Sequence, residues 1–187
     1  MTRYRPAAAA DAPAVARLHA ESWQRHYRGA FSDGFLDARA PAHLLALWTR
    51  RLAGDGPLAR TYLAQADDDP GEVQGFVHVR LGDDEQWGSL VDNLHVAHGR
   101  QRQGAGSGLM ALAARAALGW SPGAGLYLWV LEQNAAAQAF YAARGGACTG
   151  RADDEPPAGD PANLVGRVVI LRYAWPDPSV LLSSVAP

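Results

Sequence analysis

The sequence contains no lysine, so all 17 of its basic residues are arginine. This absence excludes chemistry that needs a lysine amine: the P-loop phosphate site, Schiff-base catalysis and the phosphate-binding lysine of kinases. Cysteine is almost absent as well, and Cys148 alone cannot form an intramolecular disulfide. A chain of 187 residues buries roughly 70% of the surface that its unfolded state exposes, so its core needs neither a disulfide nor a structural metal.

Long apolar runs and an excess of one charge are also missing. The apolar stretches are interrupted well short of the roughly 20 residues that a membrane span needs, and the first residues lack the apolar core of a signal peptide. The net charge of −2, without a run of arginines, argues against a nucleic-acid partner. We therefore expect one cytoplasmic domain over 1–174, followed by a tail over 175–187 that is either docked or disordered.

Hydrophobic periodicity predicts an α+β fold with a mixed sheet. A strand at 3–6 precedes two helices, the first with Asp11 as its N-cap and the second beginning at Pro41. Three strands joined by acidic turns at 67–71 and 82–85 form an antiparallel meander, at 61–65, 73–81 and 87–96. The chain continues with helix 104–118, strand 126–131, helix 134–144 and strands at 147–150 and 165–173. The helix between strands 87–96 and 126–131 requires these two to be parallel within an otherwise antiparallel sheet.

A glycine-rich turn follows the strand that ends at Val96, with alternate glycines at Gly104, Gly106 and Gly108. Glycine lets the backbone approach a ligand closely, and free N–H groups at a helix N-terminus bind phosphate. Arg100 and Arg102 beside the turn add charge-assisted contacts to a phosphate. The pattern predicts a phosphate site, although a plain strand-to-helix turn or a nucleotide site has similar glycines.

Two other glycine motifs do not fit this chain. A dinucleotide-binding turn has its glycines directly after the strand and an acidic residue about 20 positions on, whereas here seven residues intervene and the next acid is Glu132. Gly119-x-Ser121-x-Gly123 matches a hydrolase nucleophile elbow, which requires a strand before it, a helix after it and a later histidine. In this chain a helix precedes the motif, a strand follows it, and no histidine comes after His98.

Several motifs, taken in order, resemble the GNAT N-acetyltransferases. Gln101-x-x-Gly104-x-Gly106 after Leu94-x-Val96 is similar to the acyl-CoA pyrophosphate loop of that family. The second match is Leu128-x-Val130, then Asn134, Phe140-Tyr141 and Gly145-Gly146. The first helix also resembles that of many bacterial members, through His19-x-x-Ser22-Trp23-x-x-x-Tyr27-x-Gly29. Gly146 departs from the family pattern, which usually has an aromatic residue at this position.

The resemblance implies an enzyme that transfers the acetyl group of acetyl-CoA to a primary amine of a small molecule or peptide by direct attack. It also implies a GNAT-like sheet in which strands 87–96 and 126–131 splay apart and pair with the pantetheine arm like an added strand. The cofactor-binding residues would be Leu94, Val96, Gln101, Arg102, Gln103, Gly104, Ala105, Gly106, Ser107, Gly108, Asn134 and Tyr141. A homodimer through Leu181 and Leu182 would match what is common in the family.

The same resemblance suggests catalytic roles. A backbone N–H near Leu94 would stabilise the oxyanion, and Tyr141 would protonate the departing thiolate, unless it is only a core aromatic. The glutamate that serves as base in many members aligns with Leu90, which cannot take a proton. The remaining candidates for the base are Asp92, His95, Glu132 or an ordered water relay.

The resemblance also implies that the first helices and the loop before the last strand form most of the acceptor pocket. Trp23, Tyr27 and Phe31 are candidates for its wall, unless they only fill the core, and Asp153-Asp154-Glu155 either attracts a cationic amine or is a solvated loop. No metal site is predicted, because His95-x-x-His98 has no third ligand at a recognised spacing. Since Leu90 removes the usual base, the main alternative is a non-catalytic acyl-CoA-binding or regulatory module.

Overall fold

The computed structural model describes residues 2–54, 56–66 and 72–183. Four helices are present in this part of the chain: α1 Ala12–His26, α2 Ala40–Gly54, α3 Ala105–Trp120 and α4 Ala135–Ala142. The strands are β1 Thr2–Pro6, β2 Ala59–Ala66, β3 Val73–Asp84, β4 Gly88–Val96, β5 Leu126–Leu131, β6 Ala147–Asp153 and β7 Val169–Trp175. The predicted turn at 67–71 and the last residues of the tail, 184–187, lie outside the described residues.

The strands form one mixed sheet in the order β1-β2-β3-β4-β5-β7-β6. Strands β2, β3 and β4 make the predicted antiparallel meander, and β4 and β5 make the predicted parallel pair. The other neighbours run antiparallel. The α+β class with one parallel pair in a mostly antiparallel sheet is therefore confirmed.

The parallel pair separates soon after it begins. Register contacts between β4 and β5 are limited to Ser89 with Leu126 and Leu90 with Tyr127. On its other side, β4 carries an irregularity at Asp92, because His78 pairs with Asn93 while Val79 pairs with Val91. The extra residue bends the strand, as a β-bulge does. A gap opens between the C-terminal halves of β4 and β5 as a result.

Helices cover the two faces of the sheet. On one face α1 and α2 bury Trp48 against Leu63 and Phe76 of the strands. On the other face α3 carries Leu109, Ala113 and Ala117 four residues apart, all fully buried, as expected for the apolar stripe of a helix that packs on a sheet. This second cluster includes the central strands, so the gap between β4 and β5 lies beside a firmly packed core.

Several local predictions differ from the structure. The strand predicted at 147–150 extends to Asp153, and the last strand includes Trp175, which was predicted to begin the tail. Asp11 precedes α1 but does not cap it, because its carboxylate accepts hydrogen bonds from Arg5 and from the backbone N–H of Ala8. The second helix begins before Pro41, since a π-helical turn at Phe35–Arg39 leads directly into α2. The last strand begins at Val169 rather than at 165, because Val165 instead donates its N–H to the carbonyl of Ala30.

The described part of the tail, 176–183, packs on the domain through Pro178, Leu181 and Leu182. A turn at Pro178–Leu181 buries Leu181 completely, and both Leu181 and Leu182 pack against the α3 side of the core. Trp175 at the end of β7 lies beside Gly146, so close that a Cβ at Gly146 would be 2.6 Å from its Cζ2 atom. The indole of Trp175 therefore occupies the space beside the position where the resembling family usually has an aromatic side chain.

Candidate active site

A cavity of about 490 Å³ occupies the gap between β4 and β5. The strands contribute residues 91–96 and 128–131 to its lining, and α1, α4 and the loop before α3 complete it. The N–H of Ala97 donates to Gln74 on β3 at 2.8 Å. Because successive residues of a strand point their backbone groups to opposite sides, Leu94 and Val96 direct their N–H and C=O groups away from β3, toward the gap. These groups are placed to pair with an extended ligand.

The glycine-rich turn lies at one end of this cavity. Gln101, Arg102 and Gly106 line it, and both Arg102 and Gly104 have positive φ angles, +61° and +90°. The first-turn N–H groups of α3 have no acceptor within the helix, whereas Gly108 already donates to Gly104 at 3.0 Å. An anion at this end of the cavity would therefore meet free N–H groups and the positive end of the α3 dipole.

The other predicted residues of this turn lie outside the cavity lining: Gln103, Gly104, Ala105, Ser107 and Gly108. Ser107 accepts hydrogen bonds from Arg144 at 2.5 and 3.1 Å. A Cβ at Gly108 would lie 2.1 Å from the hydroxyl of Tyr4, so packing against β1 already requires a glycine there. Arg100 pairs with Glu72 at 2.7 Å, which leaves Arg102 as the arginine at the cavity.

Helix α4 brings two predicted residues to the opposite wall. Asn134 accepts the N–H of Ala137 at 3.1 Å, so it caps α4, and it also lines the cavity. Tyr141 lines the cavity and is 8% exposed. Burial raises the pKa of its hydroxyl, so the phenol keeps its proton at neutral pH and is available as a donor. Both interpretations of Asn134, as cap and as ligand contact, fit this geometry.

The predicted bases have different surroundings. Asp92 lines the cavity but forms an ion pair with Arg51 of α2 at 2.7 Å. His95 also lines the cavity, shares a 2.8 Å hydrogen bond with Ser22, and has its pKa lowered to about 3, chiefly by burial. Glu132 lies outside the lining and pairs with Arg151 at 2.9 Å.

Of the three aromatic residues predicted to form the acceptor wall, only one lies at the cavity. Tyr27 lines the cavity, whereas Trp23 and Phe31 pack within the core around the connection from α1 to α2. Phe31 supports Tyr27, with their ring centroids 4.8 Å apart. Burial is the main cause that raises the pKa of Tyr27, and the charges of Asp154 and Asp92 add to it.

Sequence reasoning gave no role to several residues at the site. Ser22 and His26 both line the cavity, and their spacing of four residues places them on one face of α1. Ser22 belonged to the first-helix motif, so its signal was present but unassigned. No local signal in the sequence identified Arg51, which reaches from α2 to Asp92 of β4. Within 2–54, 56–66 and 72–183, no three His, Cys, Asp or Glu side chains come together as a metal-binding group.

The splayed parallel pair, the helix N-terminus at its open end and the cavity between them have the arrangement of the acetyltransferase fold. The profile described as "Acetyltransferase (GNAT) family" matches residues 16–146, and the chain belongs to this family. The resemblance drawn from its motifs is therefore confirmed, and so is its class as an acetyltransferase enzyme.

Named relatives extend over nearly the whole chain. An uncharacterized N-acetyltransferase of Bacillus subtilis (strain 168), YuaI, is 29% identical over 97% of this chain and 96% of its own length. A solved GCN5-related N-acetyltransferase from Rhodopseudomonas palustris has a TM-score of 0.69, with 20% identity over 93% of this chain and 94% of that one. Arabidopsis thaliana NAA60, solved in complex with acetyl-CoA, has a TM-score of 0.67, with 16% identity over 94% of this chain and 98% of that one. The described helices include none long and apolar enough to cross a bilayer.

Proposed function

We propose that this GNAT acetyltransferase transfers the acetyl group of acetyl-CoA to a primary amine of a small molecule or peptide by direct attack. The observation that carries the proposal is the cavity that joins the free backbone groups of β4 to the open first turn of α3. In this cavity Leu94 and Val96 would pair with the pantetheine arm, and Arg102 and the N–H of Gly106 would bind the pyrophosphate. Asn134 would donate its side-chain amide from the wall opposite. Acetyl-CoA supplies an activated thioester carbonyl.

The chemistry at the reacting end depends on Tyr141 and the backbone of β4. An N–H directed into the gap, at or near Leu94, stabilises the negative charge that develops on the carbonyl oxygen. Tyr141 holds a proton at its hydroxyl and gives it to the departing thiolate. Because Tyr141 is buried and its pKa is raised, this proton is not lost to solvent at neutral pH.

Removal of the amine proton is assigned to a water relay. Asp92 is held in an ion pair, Glu132 lies outside the cavity lining, and a pKa of about 3 makes His95 a weak base. These contacts favour water over direct proton transfer to a side chain, since a good general base has a pKa near the working pH. His95 and Ser22 would hold the water by hydrogen bonds.

The test is a screen of primary amines with acetyl-CoA, read by release of free thiol. Acetylation of at least one amine, confirmed by mass spectrometry and absent without acceptor, is the expected outcome. The non-catalytic alternative predicts thermal stabilisation by acetyl-CoA without thiol release from any amine. A nucleotide-binding protein would instead be stabilised more by ATP or NAD than by acetyl-CoA.

Two further expectations belong to the proposal. A homodimer is proposed with the family resemblance as its support, although Leu181 and Leu182 pack within the chain itself, so another surface would have to form the contact. Light scattering measures this directly. The cytoplasmic location predicted from the first residues is tested by cell fractionation.

A further inference from the structure

One arginine outside the cavity holds two residues that line it. Arg51 reaches from α2 to β4, where its Nη1 atom lies 2.7 Å from the Oδ2 atom of Asp92 and donates to the Oδ1 atom of Asn93 at 2.8 Å. Both Asp92 and Asn93 line the cavity between β4 and β5. An Nη atom of a guanidinium carries two protons, so this single nitrogen can bind both side chains at once.

These two contacts do not fit a regular strand. Successive side chains of a strand point to opposite faces of the sheet, so two neighbouring residues would not both reach one nitrogen on the α2 side. Asp92 and Asn93 do so because Asp92 is the extra residue of the bulge, where the register of β4 against β3 shifts. The double contact with Arg51 therefore favours the bulged form of β4.

The bulge decides which backbone groups of β4 face the gap. Before the bulge, Ser89 donates its N–H to Gly125 at 3.0 Å, on the side of β5. After the bulge, the N–H of Ala97 donates to β3 at 2.8 Å, so the groups that face the gap are those of Leu94 and Val96. Without the extra residue, the odd-numbered residues would point toward β5 throughout, as Ser89 does. One inserted residue reverses this direction and gives the gap its open N–H groups.

Arg51 itself is held against the core. Its guanidinium carbon lies 5.3 Å from the centre of the Trp48 ring, which is within the range of a cation–π contact. Trp48 is fully buried and donates its indole N–H to His19 of α1 at 3.0 Å. The side chain of Arg51 is 17% exposed, so its charge-assisted contacts are less screened by water than those of a surface ion pair.

We propose that Arg51 is a positioning residue for acetyl transfer, which holds the bulge of β4 through Asp92 and Asn93. The bulge in turn directs the N–H groups of Leu94 and Val96 into the gap. The inference rests on the proposed function, in which an N–H at or near Leu94 stabilises the oxyanion. Since Arg51 does not line the cavity, it acts through β4. The negative charge develops only in the transition state, so Arg51 affects kcat more than the binding of acetyl-CoA.

The test compares Arg51→Met with the wild type, using a primary amine that the acetyl-CoA screen identifies as an acceptor. Methionine keeps an apolar stem beside Trp48 but donates no hydrogen bond. We expect kcat to fall at least about tenfold, because a misdirected oxyanion donor loses much of its transition-state stabilisation. The affinity for acetyl-CoA, measured by calorimetry, falls by a smaller factor. A smaller loss in kcat, or a loss confined to affinity, overturns the proposal.

Two further variants show whether the effect belongs to the contacts of Arg51. Arg50→Met is the matched control, because Arg50 precedes it in α2 and is exposed, and this variant keeps the wild-type kcat. The double variant Arg51→Met/Asp92→Asn separates positioning from charge neutralisation. If Arg51 only neutralised Asp92, removing both charges would restore kcat, and that result overturns the proposal. We expect kcat to stay low, because the contact from α2 is still missing.

Amide hydrogen exchange tests the bulge without relying on catalysis. Ala97 donates to β3 in the bulged register, so its amide should exchange at least about fivefold faster in CoA-bound Arg51→Met than in the CoA-bound wild type. The amides of the β5–β7 pair keep their rates. If no amine is acetylated, the proposed function fails, and this measurement still shows whether Arg51 holds the bulge.

A variant that removes only one contact covers the case in which Arg51→Met does not fold. Asn93→Ala takes its place, because it loses the hydrogen bond at Asn93 and keeps the ion pair between Arg51 and Asp92. Its Ala97 amide should also exchange faster than that of the wild type. Unchanged exchange at Ala97 in the variant that folds overturns the proposal.

Discussion

Placing a side chain at Gly146 should destabilise the protein, although the family usually has an aromatic residue there. A Cβ at this position would lie 2.6 Å from Cζ2 of Trp175 and 3.0 Å from the carbonyl oxygen of Tyr141, well inside the roughly 3.5–4.0 Å of a favourable carbon contact. Trp175 is 1% exposed and donates its indole N–H to Arg144 at 2.8 Å. The ring therefore cannot move aside without losing a hydrogen bond and core contacts.

The expected magnitude follows from this overlap. Gly146→Ala should lower the free energy of unfolding by about 1–3 kcal/mol, the range for overpacked cores, and Gly146→Phe by more. Trp175→Leu alone should also be destabilising, because it leaves a cavity in the core. When Gly146→Phe and Trp175→Leu are combined, the new ring can use the space of the old one, so the pair should be less destabilised than the sum by at least about 1 kcal/mol.

Urea unfolding followed by far-UV circular dichroism measures these differences without relying on the fluorescence of Trp175. Gly119→Ala is the control, because Gly119 lies within α3 and a Cβ there would meet nothing within 4 Å. It should be neutral or stabilising by up to about 1 kcal/mol, from helix propensity. A Gly146→Ala variant as stable as the wild type, or strict additivity in the double variant, would refute the reasoning.

Three further predictions concern the site and its pH dependence. Tyr141→Phe should lower kcat about 100-fold while the affinity for CoA stays within about twofold, since only the proton donor is lost; an unchanged kcat would remove Tyr141 as the acid. Arg102→Ala should weaken CoA binding about tenfold in calorimetry and reduce its salt dependence, and unchanged affinity would place Arg102 outside the site. The folded state should lose stability as the pH falls below about 6.5, because burial is the main cause that lowers the pKa values of His19 and His95. The unfolded chain then binds protons that the folded chain does not, with a slope of up to about 1.4 kcal/mol per pH unit for each histidine. His95→Gln should flatten the profile of urea midpoints against pH, and an unchanged slope would contradict this account.

Much of the fold could be predicted because local patterns and connection rules agree. The helix between strands 87–96 and 126–131 required a parallel pair, and β4 and β5 form it. The sequence predictions failed at positions where a partner distant in the chain competed with the local signal. Asp11 looks like an N-cap in sequence, but Arg5 binds its carboxylate with two bonds of 2.7 Å. Val165 looks like a strand residue, but its N–H bonds to the connection after α1.

The candidate site also has a part that the sequence could predict and a part that it could not. The turn with Gly104 and Gly106, and the order of motifs through Tyr141, were visible in sequence because the backbone conformation and the helix start that they need are local properties. Charge compensation is not local. Arg51 neutralises Asp92 from a helix about 40 residues away in the chain.

By itself, the amino-acid sequence determined that this protein has no lysine chemistry, a mixed sheet with one parallel pair, and the glycine turn and α4 residues of a GNAT acetyltransferase. Tertiary structure alone decided which side chains meet: Trp175 beside Gly146, Ser22 with His95, and Arg51 with Asp92 and Asn93. The physical reason is that backbone conformation and helix or strand periodicity depend on near neighbours in the chain. Burial and ion pairing depend on residues that only the folded chain brings together.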